Sequence, residues 1–259
     1  MKKARSKRRG NSGQVLVITS LIVVMLLLST VIYVRETGMD APVYADASNL
    51  SFSSVKQAAI HTVMSALVNV SNGGEPGILA ADLNLLKSVI ANHSYNAILN
   101  MNYTPLTNET YQDGFWTSWG TNGEGVSSVY VNFTLNSSGV SANYYSEYAV
   151  NLTSNLAIKG YYTLLTGASK QVNVTCTIYN EGKPALAQNF TVYYEYDGSL
   201  STEEWVQVTS PTTIDYGNGT CFLSFTATTK HRSDPMLVSV HYQDMRGILV
   251  LANATCTLS

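Results

Sequence analysis

Three hydrophobic patterns follow one another along the chain. The first has no polar face at all: Val15 to Val34 carries twenty residues without a charge. In a helix they rise ~30 Å, the depth of a bilayer's hydrocarbon core. The second pattern is helical. Phe52, Val55, Ala59, Val63, Ala66, Leu67 and Val70 recur at three- and four-residue steps, and Asn-Gly-Gly-Glu-Pro-Gly stops them. Leu79, Leu83, Leu86 and Ile90 predict a second helix over 77–92. The third pattern alternates. Tyr95, Ala97, Leu99, Met101 and Tyr103 face one side of a predicted strand, and Val129, Val131, Phe133 and Leu135 one side of another. After a turn at Ser138-Gly139 a further strand runs to about Asn155.

From residue 160 onward the chain reads as strands at 161–166, 171–179, 189–196, 204–209, 219–228, 236–243 and 247–257. Turn signals at Asn180-Glu181-Gly182-Lys183-Pro184, Asp197-Gly198 and Gly217-Asn218-Gly219 punctuate them. Short strands at this spacing predict a β-sandwich of immunoglobulin-like type. The Cys…Trp…Cys spacing of antibody domains is not matched, and Trp205 lies outside the expected core strand. The expected fold class is thus an N-terminal transmembrane helix, a small α+β region, then an all-β immunoglobulin-like sandwich. The expected divisions are a basic cytoplasmic tail (1–13), the membrane helix (14–35), a linker (36–48), a membrane-proximal α+β domain (49–159) and the sandwich (160–259).

Charge orients the first helix. Lys2, Lys3, Arg5, Lys7, Arg8 and Arg9 precede it, and only Arg35, balanced by Glu36, follows closely. This predicts a cytoplasmic N-terminus and a body facing outward. A cleaved secretory signal fits less well. Its apolar region is shorter, and the nearest small-x-small site, Ala45-Asp46-Ala47, ends thirteen residues past Val34. Beyond Gly10 the chain holds nine basic and seventeen acidic residues, so nothing in it offers a nucleic-acid footprint. Only 12% of residues are charged, against about 25% in ordinary domains. Solubility must come from Asn, Ser, Thr and Tyr.

Basic residues, then Gly13-Gln14, then an immediate apolar helix resemble a class III signal, as in archaeal type IV pilin-like surface proteins; Arg9-Gly10 through Gln14-Val15-Leu16-Val17 also resembles the start of TadE-like pilins. The resemblance covers about residues 8–34. It implies a prepilin-type cleavage between Gly13 and Gln14, a helix that survives in the mature chain, and a pilin-like α+β head. Bacterial type IV pilins carry a Glu at the fifth mature position; counted from Gln14, that position here is Ile18.

Asn-x-Ser/Thr occurs at Asn49, Asn69, Asn92, Asn102, Asn108, Asn132, Asn136, Asn151, Asn173, Asn189, Asn218 and Asn253, which is twelve of the twenty-one asparagines. All lie beyond the apolar run. In the alternating strands they fall on the outward side: Asn173 opposes inward Val172, Val174, Cys176 and Ile178, and Asn189 opposes Phe190, Val192, Tyr194 and Tyr196. A bulky polar glycan requires that side. With the class III start, dense N-glycosylation points to an archaeal cell surface. A eukaryotic type II membrane protein would share the sequons and the orientation but not Gly13-Gln14.

Cys176, Cys221 and Cys256 are the three cysteines. An odd number allows at most one internal bridge. Cys176–Cys256 fits the inward faces, Cys176–Cys221 fits neighbouring strands, and unbridged core thiols fit equally. No CxxC, HExxH, G-x-S-x-G or phosphate-binding loop is present, and His61, His93, His231 and His241 are scattered. Thr-Cys pairs at Cys176, Cys221 and Cys256 raise a sortase-type thiol enzyme as a remote alternative, but the TLxTC pattern is missing. Trp116 and Trp119 are expected in a long loop, either closing a core or contacting sugar or a neighbour. The expected protein is a non-enzymatic, membrane-anchored, N-glycosylated envelope component for adhesion or assembly, without cofactor. Its expected partners are membrane lipid and like subunits or other envelope proteins. The alternative is a monomeric signal-anchored binding module.

Overall fold

The computed structural model describes residues 47–93, 97–139, 143–186, 189–198 and 204–259. The chain divides into two compact units, Met1–Ser51 and Phe52–Ser259. The fold is that of the second. The basic tail, Gly13-Gln14, the apolar run and the linker as far as residue 46 lie outside the described residues. Among the described residues, no helix is long and apolar enough to cross a membrane.

Both amphipathic stripes form helices, α1 (Ala47–Ser71) and α2 (Ile78–His93). Val55, Ala59, Val63, Ala66 and Leu67 of α1 are buried, as are Leu79, Leu83 and Ile90 of α2. α1 ends because Gly73 adopts φ 94°, a conformation that costs glycine little. Asn72 closes the last turn: its backbone N–H and its side-chain amide both donate to the Val68 carbonyl, at 3.2 and 2.7 Å.

Strands β1 (Ala97–Pro105) and β2 (Phe115–Trp119) lie end to end along one edge of β3 (Glu124–Gly139). β4 (Asn143–Leu164) pairs with the other edge. Leu99, Met101, Val129, Val131, Phe133 and Leu135 are buried, as their alternation predicts. Helix-to-sheet contacts include Phe52 edge-on to Tyr144 and Lys56 Nζ 5.2 Å above the Tyr148 ring. On α2, Ala80 O and Asn84 Oδ1 accept from the Tyr103 hydroxyl.

β4 is the strand on which the body is built. At ~3.3 Å per residue, its 22 residues reach about 70 Å. Its first part pairs with β3 from Asn143↔Ser138 to Ala157↔Glu124. Its last part pairs with β5 (Ser169–Asn180) from Ser154↔Asn180 to Leu164↔Lys170. The sequence-based boundary at 159/160 falls inside this strand, where Lys159 and Gly160 pair with Thr175 and Val174. Gly160 is a packing position. A Cβ there would stand 2.1 Å from Cys256 Sγ. Gly160→Ala is therefore expected to lower stability by about 1–3 kcal/mol, and Cys256→Ala to restore most of it. A double-mutant cycle by urea denaturation measures that coupling.

The remaining strands are β6 (Lys183–Pro184), β7 (Phe190–Glu195), β8 (Trp205–Gln207), β9 (Thr212–Asp215), β10 (Thr220–Thr228), β11 (Met236–Gln243) and β12 (Leu249–Leu258). Hydrogen bonds order the main strands β8-β7-β11-β12-β4-β5-β10-β9. The β12–β4 link is parallel and spans only Thr257↔Tyr161 and Leu258↔Tyr162. The path thus folds into two layers, β4-β5-β10-β9 and β12-β11-β7-β8, and the C-terminal part is β-sandwich-like. Val172, Val174, Cys176, Ile178, Leu223 and Phe225 line one inner face, and Val192, Val238, Val240, Val250 and Ala252 the other. Tyr194 stacks on Phe225 between the layers, with ring centroids 6.4 Å apart.

Three local expectations change. The stretch expected as a loop around Trp116 and Trp119 contains β2, paired to β3 from Phe115↔Val129 to Trp119↔Gly125. The alternation of β7 ends one residue early: Glu195 is buried and Tyr196 is exposed, because the chain leaves the strand for the Gly198 turn at φ 74°. The edge strand β9 joins β10 although all four of its residues are exposed.

Candidate functional site

The most heavily built polar cluster lies at the turn between β11 and β12. The Asp244 side chain is fully buried and accepts five hydrogen bonds. Oδ2 takes Arg246 Nε at 2.7 Å, Ser154 Oγ at 2.9 Å and Asn180 Nδ2 at 3.3 Å. Oδ1 takes the backbone N–H groups of Arg246 and Ile248 at 2.8 and 3.0 Å. Arg246 reaches onward, with Nη1 2.6 Å from Glu181 Oε1 and Nη2 2.9 Å from Ser154 Oγ. Glu181 Oε1 also accepts the Thr153 N–H. Burial works against the Arg246 charge, but the hydrogen bonds to Glu181 and Asp244 outweigh it and its pKa ends raised.

The same turn meets the helix and β3. Leu249 N–H donates to Ser71 Oγ at 3.1 Å, and Asn72 Nδ2 donates to the Gly247 carbonyl at 3.0 Å. Ser127 Oγ donates to the Leu249 carbonyl at 2.6 Å and accepts Trp119 Nε1 at 3.3 Å. This cluster ties α1, β3, β4 and β5 to the β11–β12 turn. Its charged members are mutually satisfied, which suits a structural clasp. Sequence reading missed it, taking Asn180-Glu181-Gly182 as a turn signal alone.

A second junction lies on the free edge of β12. The tip between β2 and β3 docks there: Asn253 N–H donates to Gly120 O at 3.1 Å, and Gly123 N–H to Asn253 O at 2.8 Å. Gly123 O in turn accepts Ile158 N–H at 2.7 Å. The tip bridges β12 and β4 where their own pairing has not begun. Beside it runs an open groove of about 500 Å³ lined by Thr121, Asn122, Lys159, Tyr161, Thr255 and Thr257.

Of the twelve sequon asparagines, Asn49 falls in α1 among residues whose side chains are not described. Asn69, Asn92, Asn102, Asn108, Asn132, Asn151, Asn189 and Asn218 are exposed. Asn136, Asn173 and Asn253 are half-buried. Asn102, Asn132, Asn136 and Asn151 share the outer face of the β1-β3-β4 sheet, away from the buried one. Asn108 and Asn218 sit in Asx turns, their Oδ1 atoms accepting the N–H of Thr110 at 2.8 Å and of Thr220 at 3.0 Å. Asn253 differs: its Oδ1 is buried without a partner, beneath the docked tip.

The three cysteines are buried and unbridged. Cys176 and Cys221 are direct partners across β5 and β10, while Cys256 packs on Gly160. Burial pushes all three thiols up, Cys221 to about 11 and Cys256 to about 12. It raises Cys176 as well, with the neighbouring Cys221 adding to the shift. Trp116 is half-buried with Tyr111 edge-on at 5.9 Å, and Trp119 is 38% exposed. His61 and His231 are exposed, and the His241 ring lies tilted against Tyr193, centroids 4.7 Å apart, with burial lowering its pKa. Lys170 points into the sandwich at the end of β5. Its Nζ donates to the Asp234 carbonyl and stands 5.1 Å above the Tyr162 ring. Desolvation lowers its pKa against the pull of Asp234.

Among the described residues no group of three or more His, Cys, Asp or Glu side chains is placed to hold a metal ion. No protein-family model matches the chain, and no curated protein matches it.

Proposed function

We propose that this chain is a non-enzymatic cell-surface protein, anchored by Val15–Val34 with its N-terminus in the cytoplasm, whose N-glycosylated outer body serves adhesion or assembly in the envelope. The observation that carries the reading is the placement of the sequons. Eight of the eleven with described side chains are exposed, three are half-buried and none is buried. An outward-facing body with so little charge needs such polar cover. The strand order supports the immunoglobulin-like assignment. First, second, sixth and fifth of the eight main sandwich strands (β4, β5, β10, β9) form one layer, and the others (β12, β11, β7, β8) form the second, the arrangement of an immunoglobulin-like sandwich with one strand added beside the third. Buried thiols with raised pKa values disfavour a sortase-type nucleophile, which must be exposed and ionised.

The class III start makes a pilin-like subunit the first form of this proposal. Mass spectrometry of the mature N-terminus, on protein from its native envelope, tests it. A chain beginning at Gln14 is expected. A retained basic tail would leave an anchored binding module instead, and a start at Ser48 would remove the anchor altogether.

A further inference from the structure

We propose that Cys176 and Cys221 form a disulfide across β5 and β10 when the protein meets a disulfide donor, leaving Cys256 as a reduced core thiol. The register places the two residues directly opposite each other on the inner face. The Ile178 N–H donates to the Gly219 carbonyl at 2.8 Å. Alternation from that bond makes Cys176–Cys221 a hydrogen-bonded pair, with Cα atoms ~5.5 Å apart. That lies within the span of disulfides, about 4.4–6.8 Å. The electrostatic influence of Cys221 on Cys176 agrees with their proximity.

Cys256 is already placed by its packing. Its sulfur fills the space over Gly160, two strands from Cys221, and the three thiols do not gather into one cluster. The odd cysteine thus has a place that needs no partner.

Both reactive thiols are buried, so reaction waits on local opening. Cys221 lies four residues beyond Gly217 and is flanked along the sheet by the four-residue edge strand β9, where it pairs with Asp215. Fraying of β9 uncovers Cys221 first. Its thiolate attacks one sulfur of the donor disulfide, forming a mixed disulfide and releasing one donor thiolate. The Cys176 thiolate then attacks the Cys221 sulfur and releases the second. Two protein thiols are oxidised, one donor disulfide is reduced to two thiols, and the two protons pass to the donor's sulfurs. Side chains of a hydrogen-bonded pair stand further apart than a bridge prefers, so closure draws the strands together. The resulting bond is strained and readily reduced.

The test uses the full purified chain with oxidised glutathione, followed by alkylation of free thiols under denaturing conditions and peptide mapping. The expected product is one cross-linked pair holding Cys176 and Cys221, lighter by two hydrogens than the separate peptides, with Cys256 alkylated. Mild dithiothreitol should reverse it. In Cys256→Ala the same link should persist, and in Cys221→Ala it should be lost. A link that includes Cys256 would overturn the proposal. So would three alkylated cysteines, or a glutathione adduct on Cys221 that never resolves. Mapping of the unmutated chain decides the matter even if a variant fails to fold.

Discussion

Replacing Asp244 with alanine should lower stability by about 3–5 kcal/mol, the usual cost of removing one partner from a buried ion pair. The substitution removes the inner partner of the Arg246 guanidinium, whose side chain is 21% exposed, and leaves Glu181 as its one carboxylate beside Ser154 and Asn180. It also leaves the Arg246 and Ile248 N–H groups of the turn without their acceptor. The loss spreads further, because this turn presents Leu249 to Ser71 and Gly247 to Asn72. Glu181→Ala is the contrast. Its side chain is 40% exposed, and it holds the outer end of Arg246 and the Thr153 N–H. Such pairs contribute about 1 kcal/mol or less. Urea melts of the two variants should differ severalfold in their loss. Equal losses would mean that Asp244 is not the centre of the clasp.

Gly125→Ala should cost about 3 kcal/mol, at the upper end for overpacking. A Cβ at Gly125 would stand 2.0 Å from the Leu251 carbonyl oxygen. The obstacle is backbone, so no rotamer can relieve it. The β2–β3 tip must lift from β12, and the Asn253 bonds to Gly120 and Gly123 go with it. Gly167→Ala is the control. Unlike Gly125 it has a positive φ, of 66°, and nothing lies within 4 Å, so it carries only the backbone term of about 1–2 kcal/mol. Hydrogen exchange adds a second readout. The Asn253 amide should lose protection in Gly125→Ala and keep it in Gly167→Ala.

Much of the fold was legible because alternation is local. Val129 to Leu135 and Val172 to Ile178 declare their buried sides without reference to any partner strand. α1 and α2 were equally readable from their stripes. The edge strand β9 was not, because all four residues are exposed and carry no periodic signal. β2 hid for a similar reason: Phe115 alone is buried in it, and its pairing is dictated by β3. Lys170 and Glu195 occupy buried positions that a hydrophobic pattern cannot announce. Sequon asparagines on strands were placed outward by the same alternation. Asn253 shows the limit of that rule. It alternates correctly along β12, yet a hairpin tip from far earlier in the chain covers it. The Asp244 clasp joins residues from α1 to β12, and no local spacing encodes it.

The late closure of the body has a consequence for synthesis. β12 ends at Leu258, yet its backbone completes contacts made by Ser71, Gly120, Gly123 and Ser127. A chain still emerging from the ribosome therefore cannot finish its first half and move on to the second. The edge of β4 beyond Ala157, which β12 and the hairpin tip close together, stays open until β12 has been made. Folding should behave as one slow, late event dominated by distant pairings. A nascent chain truncated before Leu249 should stay protease-sensitive, and dependent on holdase chaperones until β12 is added.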